Sequence, residues 1–183
     1  MPARGPSGFR VRLARPKVGD RDEVLALHRA SRSFHRGRVS PPVTPAQFRR
    51  YLVRCDRPDF VGLLIRRRED DAIIGAVELS QIARGGFQSA YLGYHLGAPF
   101  QGQGYMTEAL QLAMRHAFRV LKLHRLEANI QPSNRSSIAL VKRLGFRREG
   151  YSRRYLKVSG RWRDHERWAI LAEDCGSPGT VIQ

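Results

Sequence analysis

A glycine turn, Gln101-Gly102-Gln103-Gly104, joins a strand-like run to the strong helix formers Tyr105 to Leu110. The first backbone N–H groups of a helix have no partner within it, and the positive end of the helix dipole lies beside them. Glycine adopts turn conformations that other residues resist, and it lets a ligand approach the backbone. The spacing therefore predicts a cradle for an anion such as a phosphate or a pyrophosphate.

Two other phosphate-binding patterns do not fit this turn. The dinucleotide fingerprint G-x-G-x-x-G has a third glycine where this chain has Thr107, and it lies near the first strand of its domain. A P-loop needs Gly-Lys-Ser/Thr, which the turn lacks. A Gly-x-Gly pair also occurs in simple chain reversals, so the turn alone is weak evidence.

The elements that must position this turn follow from the hydrophobic pattern. Alternating and helix-spaced apolar residues predict one strand, two helices, three strands, a helix, a strand, a helix and two strands. The helix over 104–121 would cross between "YLGYHL" and "RLEANI" and make these strands parallel neighbours. The fold class is therefore α/β (α+β), a mixed and mostly antiparallel sheet with flanking helices. We expect one domain over 9–173, with a disordered segment 1–8 and a flexible tail 174–183.

Several residues have types and positions that start or stop these helices. Asp20 offers a cap for the first helix, and Thr44 followed by Pro45 starts the second. Asn134 caps the helix "RSSIALVKRL", which Gly145 ends.

The composition limits the classes of partner and compartment. The 183 residues include 33 basic and 16 acidic ones, a net charge of +17, and only four of the basic residues are lysine. Such a charge attracts polyanions, although a general preference for arginine would produce the same count. The chain has no apolar run long enough for a membrane span and no secretory signal, so we expect a cytoplasmic protein. Cys55 and Cys175 are far apart, which predicts free thiols and no metal site.

Three segments together resemble the GNAT acyltransferases, specifically the RimJ-type N-terminal acetyltransferases of ribosomal proteins. They are "LGYHLGAPFQGQGYMTEAL", "HRLEANIQPSNRSSIALVKRLGFRREGY" and "GRWRDH", and the resemblance covers residues 9 to 172. It implies the GNAT fold, whose parallel central strands splay apart to hold acetyl-coenzyme A (acetyl-CoA). The implied cofactor-binding residues are His95, Leu96, Gln101, Gly102, Gln103, Gly104, Tyr105, Met106, Asn134 and Ser137. Pro99 stands where the wider family has Gln or Arg, so recognition would depend on main-chain donors.

Acetyl transfer to an amine needs a neutral amine and a proton for the leaving thiolate. An α-amine titrates about 2.5 pKa units below a lysine, so it is the easier nucleophile. By the resemblance, Ser137 is the expected proton donor, although a first-turn serine can also simply satisfy the backbone. Glu127 and Glu78 are the candidate bases, and His95 could instead have a structural role.

The final hairpin is the expected place for acceptor recognition. Tyr155 and Trp162 would form the walls of a slot, and Asp164 would hold the substrate's α-ammonium group, unless the hairpin is simply solvated. We therefore expect an acetyl-CoA-dependent N-acetyltransferase that acts on the N-terminus of a ribosomal protein, as a monomer or homodimer, with a basic surface that contacts ribosomal RNA. The alternatives are an aminoglycoside or polyamine acetyltransferase and a non-catalytic RNA-associated module on the same fold.

Overall fold

The computed structural model describes residues 8–175. Its strands are β1 (Val11–Ala14), β2 (Phe60–Arg67), β3 (Ile73–Ala83), β4 (Ser89–Leu96), β5 (Arg125–Ile130), β6 (Arg147–Val158) and β7 (Arg161–Leu171). Its helices are α1 (Arg21–Ala30), α2 (Arg32–His35), α3 (Pro45–Cys55), α4 (Tyr105–Arg115) and α5 (Arg135–Arg143). The predicted end segments lie mostly outside the described residues, apart from a short 3₁₀ turn at Ala172–Cys175, so the domain boundaries stay predictions.

The seven strands form one mixed sheet in the order β1-β2-β3-β4-β5-β7-β6, which confirms the predicted fold class. Every neighbouring pair is antiparallel except β4 and β5, which run parallel as predicted. α4 lies between these two strands in sequence and makes the crossover that parallel neighbours require. The parallel pair therefore divides the sheet into an N-terminal and a C-terminal half.

The two faces of the sheet bury different helices because side chains alternate along each strand. On β3, Val77 and Leu79 are fully buried in the core that includes α4 and α5. Ala76, on the opposite face, packs in a second core with α1 and α3. Residues can thus be assigned to a face by their position relative to these anchors.

Three of the four predicted helix ends are confirmed, including the cap at Asn134, and the fourth is wrong. Thr44 Oγ1 accepts from the Gln47 N–H at 3.3 Å while Gln47 Oε1 accepts from the Thr44 N–H at 3.1 Å, a reciprocal capping box. Gly145 ends α5 with φ +91°, which favours glycine. Asp20 does not cap α1 with its side chain. Its carboxylate instead accepts from the Lys17 N–H at 2.7 Å and from Arg66 at 2.6 Å, because the mostly buried guanidinium needs a partner.

The crossover helix also differs from the prediction. Regular α-helical geometry ends at Arg115, and the chain continues through His116–Val120 as a π-helical turn. Within the described part of the chain, no helix is both long and apolar enough to cross a membrane.

Candidate active site

The parallel strands β4 and β5 separate soon after they begin. Three residue pairs join them, and the last is Tyr91 with Glu127. Beyond it, β4 continues to Leu96 and β5 to Ile130, but neither has the other as a ladder partner. Backbone groups on the facing edges are then available to a ligand. The split is the feature that the resemblance implied for the cofactor cleft.

The glycine turn lies at the far end of β4, and its geometry fits the anion cradle that the sequence predicts. Gly102 and Gly104 have φ values of +73° and +83°, conformations that favour glycine. No hydrogen-bond acceptor is found within residues 8–175 for the backbone N–H groups of 102–107. A Cβ at Gly102 would meet nothing within 4 Å, so the space in front of the turn is open. Six adjacent donors at a helix N-terminus are suited to a diphosphate.

Arg10 braces the turn from behind. Its Nη2 donates to the Gln103 carbonyl at 2.8 Å, and its Nε donates to Glu108 Oε1 at 2.6 Å. Glu108, in the first turn of α4, therefore has an ion-pair partner as well as a favourable position at the helix dipole. These bonds connect the glycine turn and the first turn of α4 to the residue that precedes β1.

A cleft of about 320 Å³ extends from the turn along the free part of β4. The predicted cofactor residues that line it are His95, Leu96, Gln101, Gly102, Gly104, Met106, Asn134 and Ser137. The other two do not line it. The Gln103 side chain donates to the Pro99 carbonyl at 2.8 Å, and the Tyr105 ring is buried beneath Arg10. Gln103 and Tyr105 therefore contribute backbone N–H groups only.

Two arginines in the cleft wall were missed by the sequence reasoning. Arg38 follows α2 and stacks on Phe34, with 5.5 Å from its guanidinium carbon to the ring centre. Arg143 lies in the last turn of α5. Neither has an ion-pair partner among residues 8–175, so both guanidinium groups are available for phosphate oxygens.

Tyr94 and Ser137 form a hydrogen-bonded pair in the cleft, with their oxygens 2.6 Å apart. Burial raises the pKa of Tyr94 to about 12, although the bond to Ser137 acts in the opposite direction. The phenol is therefore protonated at neutral pH and can pass a proton through Ser137 or directly. Tyr94 is the functional candidate that the sequence reasoning overlooked, and it gives the predicted donor Ser137 a proton source.

Asn134 caps α5 and also faces the cleft. Its Oδ1 accepts from the Ser137 N–H at 3.4 Å and from Ser136 Oγ at 3.1 Å. Its amide nitrogen has no partner among the described residues and remains a donor for a ligand carbonyl. The structure thus allows both roles that the sequence left open.

The two candidate bases have different surroundings. Glu78 lies opposite Gly93 on β4, and its carboxylate is 3.8 Å from Arg54 Nη1. Burial raises the pKa of this carboxyl group, although 29% of the side chain remains exposed. Glu127 Oε1 accepts from Arg125 Nε at 2.8 Å, so one oxygen is occupied. Both side chains lie on the sheet face opposite α4 and α5, because their neighbours on each strand are buried in the α4 and α5 core.

Three histidines pack together between α1, α2 and β4, and their hydrogen bonds fix the tautomers. His28 Nδ1 donates to the Pro42 carbonyl at 2.8 Å, so its Nε2 accepts from His95 Nε2, 3.0 Å away. His35 Nε2 donates to the Leu96 carbonyl at 2.8 Å. His95 therefore has a structural bond as well as a place in the cleft wall. No group of three or more His, Cys, Asp or Glu residues able to hold a metal ion occurs within residues 8–175.

The histidine cluster should make the fold sensitive to mild acid. Burial lowers the pKa of His28, and it lowers that of His95 well below the usual value near 6.5. The unfolded chain then binds protons below about pH 6.5 that the folded chain does not, so stability falls as pH drops. We expect the unfolding free energy, measured by urea titration, to decrease from pH 7 to pH 5.

A His28→Gln variant provides the control, because a neutral amide cannot titrate. The unfolding free energy of the variant should decrease less over the same pH interval. The difference from the wild-type protein should be at most about 1.4 kcal/mol per pH unit. An equally steep decrease in the variant would mean that His28 does not cause the effect.

The final hairpin brings only one of the three predicted acceptor residues to the split. Tyr155 OH lies 3.5 Å from Tyr91 OH. Trp162 is 60% exposed, and it lines neither the cleft nor the cavity beside the histidine cluster. Asp164 accepts from Tyr151 OH at 2.5 Å and from the Arg154 N–H at 2.7 Å, so both oxygens hold the hairpin together. Each oxygen of an ionised carboxylate can accept a further hydrogen bond, so a role for Asp164 in binding the α-ammonium group stays a prediction.

Comparison with known proteins identifies the family. Residues 10–147 match the acetyltransferase (GNAT) domain model. A probable N-acetyltransferase of Bacillus subtilis, YjcK, is 41% identical over 124 residues, 68% of each chain. The ribosomal protein uS5 alanine N-acetyltransferase of Escherichia coli is 43% identical over 106 residues, 58% of this chain and 55% of that enzyme. Mycobacterium smegmatis RimJ, solved with CoA-disulfide, superimposes with a TM-score of 0.83 at 27% identity, covering 91% of this chain and 84% of RimJ.

The chain belongs to the GNAT acetyltransferase family and is an acetyl-CoA-dependent N-acetyltransferase. The cleft fits this cofactor, since within residues 8–175 it combines N–H groups that have no acceptor, open space at Gly102 and two arginines that have no ion-pair partner. When bound, acetyl-CoA supplies an acetyl group activated as a thioester.

Proposed function

We propose that this enzyme acetylates the N-terminal α-amine of a protein, with a ribosomal protein that begins with alanine or serine as the expected substrate. The observation that supports this most is the charge of a second cavity, also about 320 Å³, next to the histidine cluster. It is bounded by α1, α2, the loop that follows them and Ser159 at the tip of the final hairpin. Loops that border a cavity in this way often determine substrate specificity.

Arginines line this second cavity. Arg32 and Arg36 contribute to its wall, and none of its described lining residues is acidic. A polyamine carries several positive charges, which such a wall and a net charge of +17 repel. Spermidine acetyltransferases are also relatives, at 28% identity over 123 residues for the E. coli enzyme, so charge is the property that separates the two substrate classes.

The side chains around the split can carry out the proton transfers. The reaction forms a bond between the amine nitrogen and the acetyl carbon and breaks the carbon–sulfur bond, so the amine loses a proton and the sulfur gains one. Glu78 accepts the amine proton, directly or through water, because its raised pKa and its place opposite Gly93 suit a base at the split. Tyr94 and Ser137 supply the proton to the sulfur.

The basic final hairpin supports contact with ribosomal RNA near the substrate. Trp162 and Tyr151 are exposed there. The cations that have no ion-pair partner among residues 8–175 include Arg153, Arg154, Lys157, Arg161 and Arg163. Exposed aromatic rings among unpaired cations are typical of surfaces that bind single-stranded nucleic acid.

The test compares acceptors at pH 7. CoA release would be measured with a peptide that has a free N-terminal alanine, with the same peptide blocked at its N-terminus but containing lysine, and with spermidine. We expect kcat/KM for the free N-terminus to exceed the others by about tenfold or more, since the α-amine is deprotonated more easily. Mass spectrometry would locate the acetyl group.

Two outcomes of this comparison would contradict the proposal. Faster transfer to spermidine would favour a polyamine enzyme. No transfer and no CoA binding, together with RNA affinity that falls steeply with salt, would favour a non-catalytic RNA-associated module.

A further inference from the structure

Two buried polar atoms lie side by side on the sheet face opposite α4 and α5. Asn129 on β5 and Arg167 on β7 are cross-strand partners, and their neighbours Ala128 and Trp168 belong to the core on the other face. Among the described residues, Asn129 Oδ1 and Arg167 Nε have no hydrogen-bond partner. A buried donor or acceptor without a partner destabilises a fold, so each such atom needs an explanation.

The pair lies at the split in the sheet. Asn129 is two residues beyond Glu127, the last β5 residue paired with β4. The corresponding position on β4 is Gly93, which is exposed and has no side chain to fill the gap. On the far side of Gly93 lies Glu78, the proposed base. An amine that enters the split from this face would thus have Glu78 on one side and Asn129 on the other.

The absence of a side chain at Gly150 leaves space for the Arg167 guanidinium group. A Cβ at Gly150 of β6 would lie 2.5 Å from Arg167 Nη2 and 3.2 Å from its Nε, so any other residue there would displace the guanidinium. No carboxylate within residues 8–175 forms an ion pair with Arg167. The guanidinium therefore has no carboxylate within ion-pair distance, although its charge helps to lower the pKa of Glu149.

Two tyrosines form a roof over the pair. Tyr91 on β4 and Tyr155 on β6 touch through their hydroxyl groups although β5 and β7 lie between them, a span of about 14 Å at usual strand spacing. Tyr91 is level with Glu127, and Tyr155 lies in the bulge opposite 163–165 of β7. A straight line from Tyr91 to Tyr155 therefore passes over β5 and β7 near Asn129 and Arg167. The oxygens are 3.5 Å apart, at the limit for a hydrogen bond, so the roof is weakly closed.

We propose that Asn129 and Arg167 together bind the first residue of the acceptor chain when this roof opens. Asn129 Oδ1 accepts a hydrogen bond from the α-amine, and Arg167 Nε donates one to the carbonyl oxygen of the same residue. An N-terminal residue presents this donor and this acceptor close together, whereas a polyamine presents donors only and leaves Arg167 without a partner. The inference rests on the proposed function and explains how a peptide would be selected.

The test measures binding separately from turnover. The probes are CoA, a conjugate that joins CoA through an acetyl linker to the α-nitrogen of an alanine peptide, and a matched conjugate without the first carbonyl. Asn129→Leu removes the acceptor at similar volume, and Asn129→Asp keeps one. Arg167→Met removes the donor and keeps an unbranched side chain.

Calorimetry should give a distinct pattern for each variant. We expect Arg167→Met to weaken binding of the peptide conjugate about tenfold or more. The affinities for CoA and for the carbonyl-free conjugate should stay unchanged. Asn129→Leu should weaken both conjugates, and Asn129→Asp should weaken them less. The Tm of Asn129→Leu and Arg167→Met should not fall, because an unpaired buried group is removed in each.

Each contrary result has one meaning. If the wild-type enzyme binds the peptide conjugate no better than CoA, the proposed function fails. If it binds the conjugate tightly and the variants do the same, the roles of Asn129 and Arg167 are wrong. A large drop in Tm, together with an equal loss of affinity for all three probes, would show that the two side chains have a structural role. That result would also overturn the inference.

Discussion

The Tyr94→Phe variant should turn over about a hundredfold more slowly than the wild-type enzyme, because proton transfer by a positioned side chain contributes at least that much. Phenylalanine keeps the buried ring and removes the hydroxyl that lies 2.6 Å from Ser137. The loss should appear in kcat and leave the Kd for CoA unchanged. Steady-state kinetics with an alanine peptide, together with calorimetry, would measure both quantities.

Ser137→Ala is the matched control for this prediction. If the two hydroxyls act as one donor pair, the double variant should be little slower than the slower single variant. Because Ser137 donates its backbone N–H to the cap at Asn134 and alanine keeps that group, α5 should remain intact. A Tyr94→Phe enzyme with wild-type kcat would remove Tyr94 from the mechanism.

Replacing Gly102 by valine should weaken CoA binding about a hundredfold or more, equivalent to about 2.7 kcal/mol. The valine side chain would project into space where no protein atom lies within 4 Å, in front of the unpaired N–H groups. It would also strain the backbone, since φ at this position is +73°. Calorimetric titration with CoA would measure the loss.

Gly85→Val separates these two effects. Gly85 has φ +64° and nothing within 4 Å of an added Cβ, but it lies in the turn between β3 and β4 and does not line the cleft. Both variants should lose similar stability, as judged by Tm, and only Gly102→Val should lose CoA affinity. Equal CoA affinity in the two variants would contradict the cradle.

Features coded by neighbouring residues were predictable from the sequence. The capping box at Thr44, the cap at Asn134 and the glycine turn each depend on residues within a few positions of one another. The parallel pair of strands also followed, because a single crossover helix permits no other direction. The three segments that resemble the GNAT family combine these local signals in one order.

Features that depend on distant partners were not predictable. Asp20 has a capping residue's type and position, but Arg66 lies 46 residues away in the chain and binds its side chain. The partners of Asp164 could not be predicted either, because only the folded hairpin brings the Tyr151 hydroxyl and the Arg154 N–H to its oxygens; its role in acceptor binding stays a prediction. Tyr94 had one readable signal, since alternation places it on the same strand face as the buried Leu92, but only the packed α5 brings Ser137 to it.

The short ladder between β4 and β5 has a mechanical consequence. Three residue pairs join the two halves of the sheet, so the halves are connected only at one end of β4 and β5. Each additional residue pair would make the connection stiffer and would also shorten the opening between the two strands. The same few residues therefore determine both how rigid the sheet is and how wide the opening is. A ligand bound between the strands would take the place of the missing strand-to-strand hydrogen bonds.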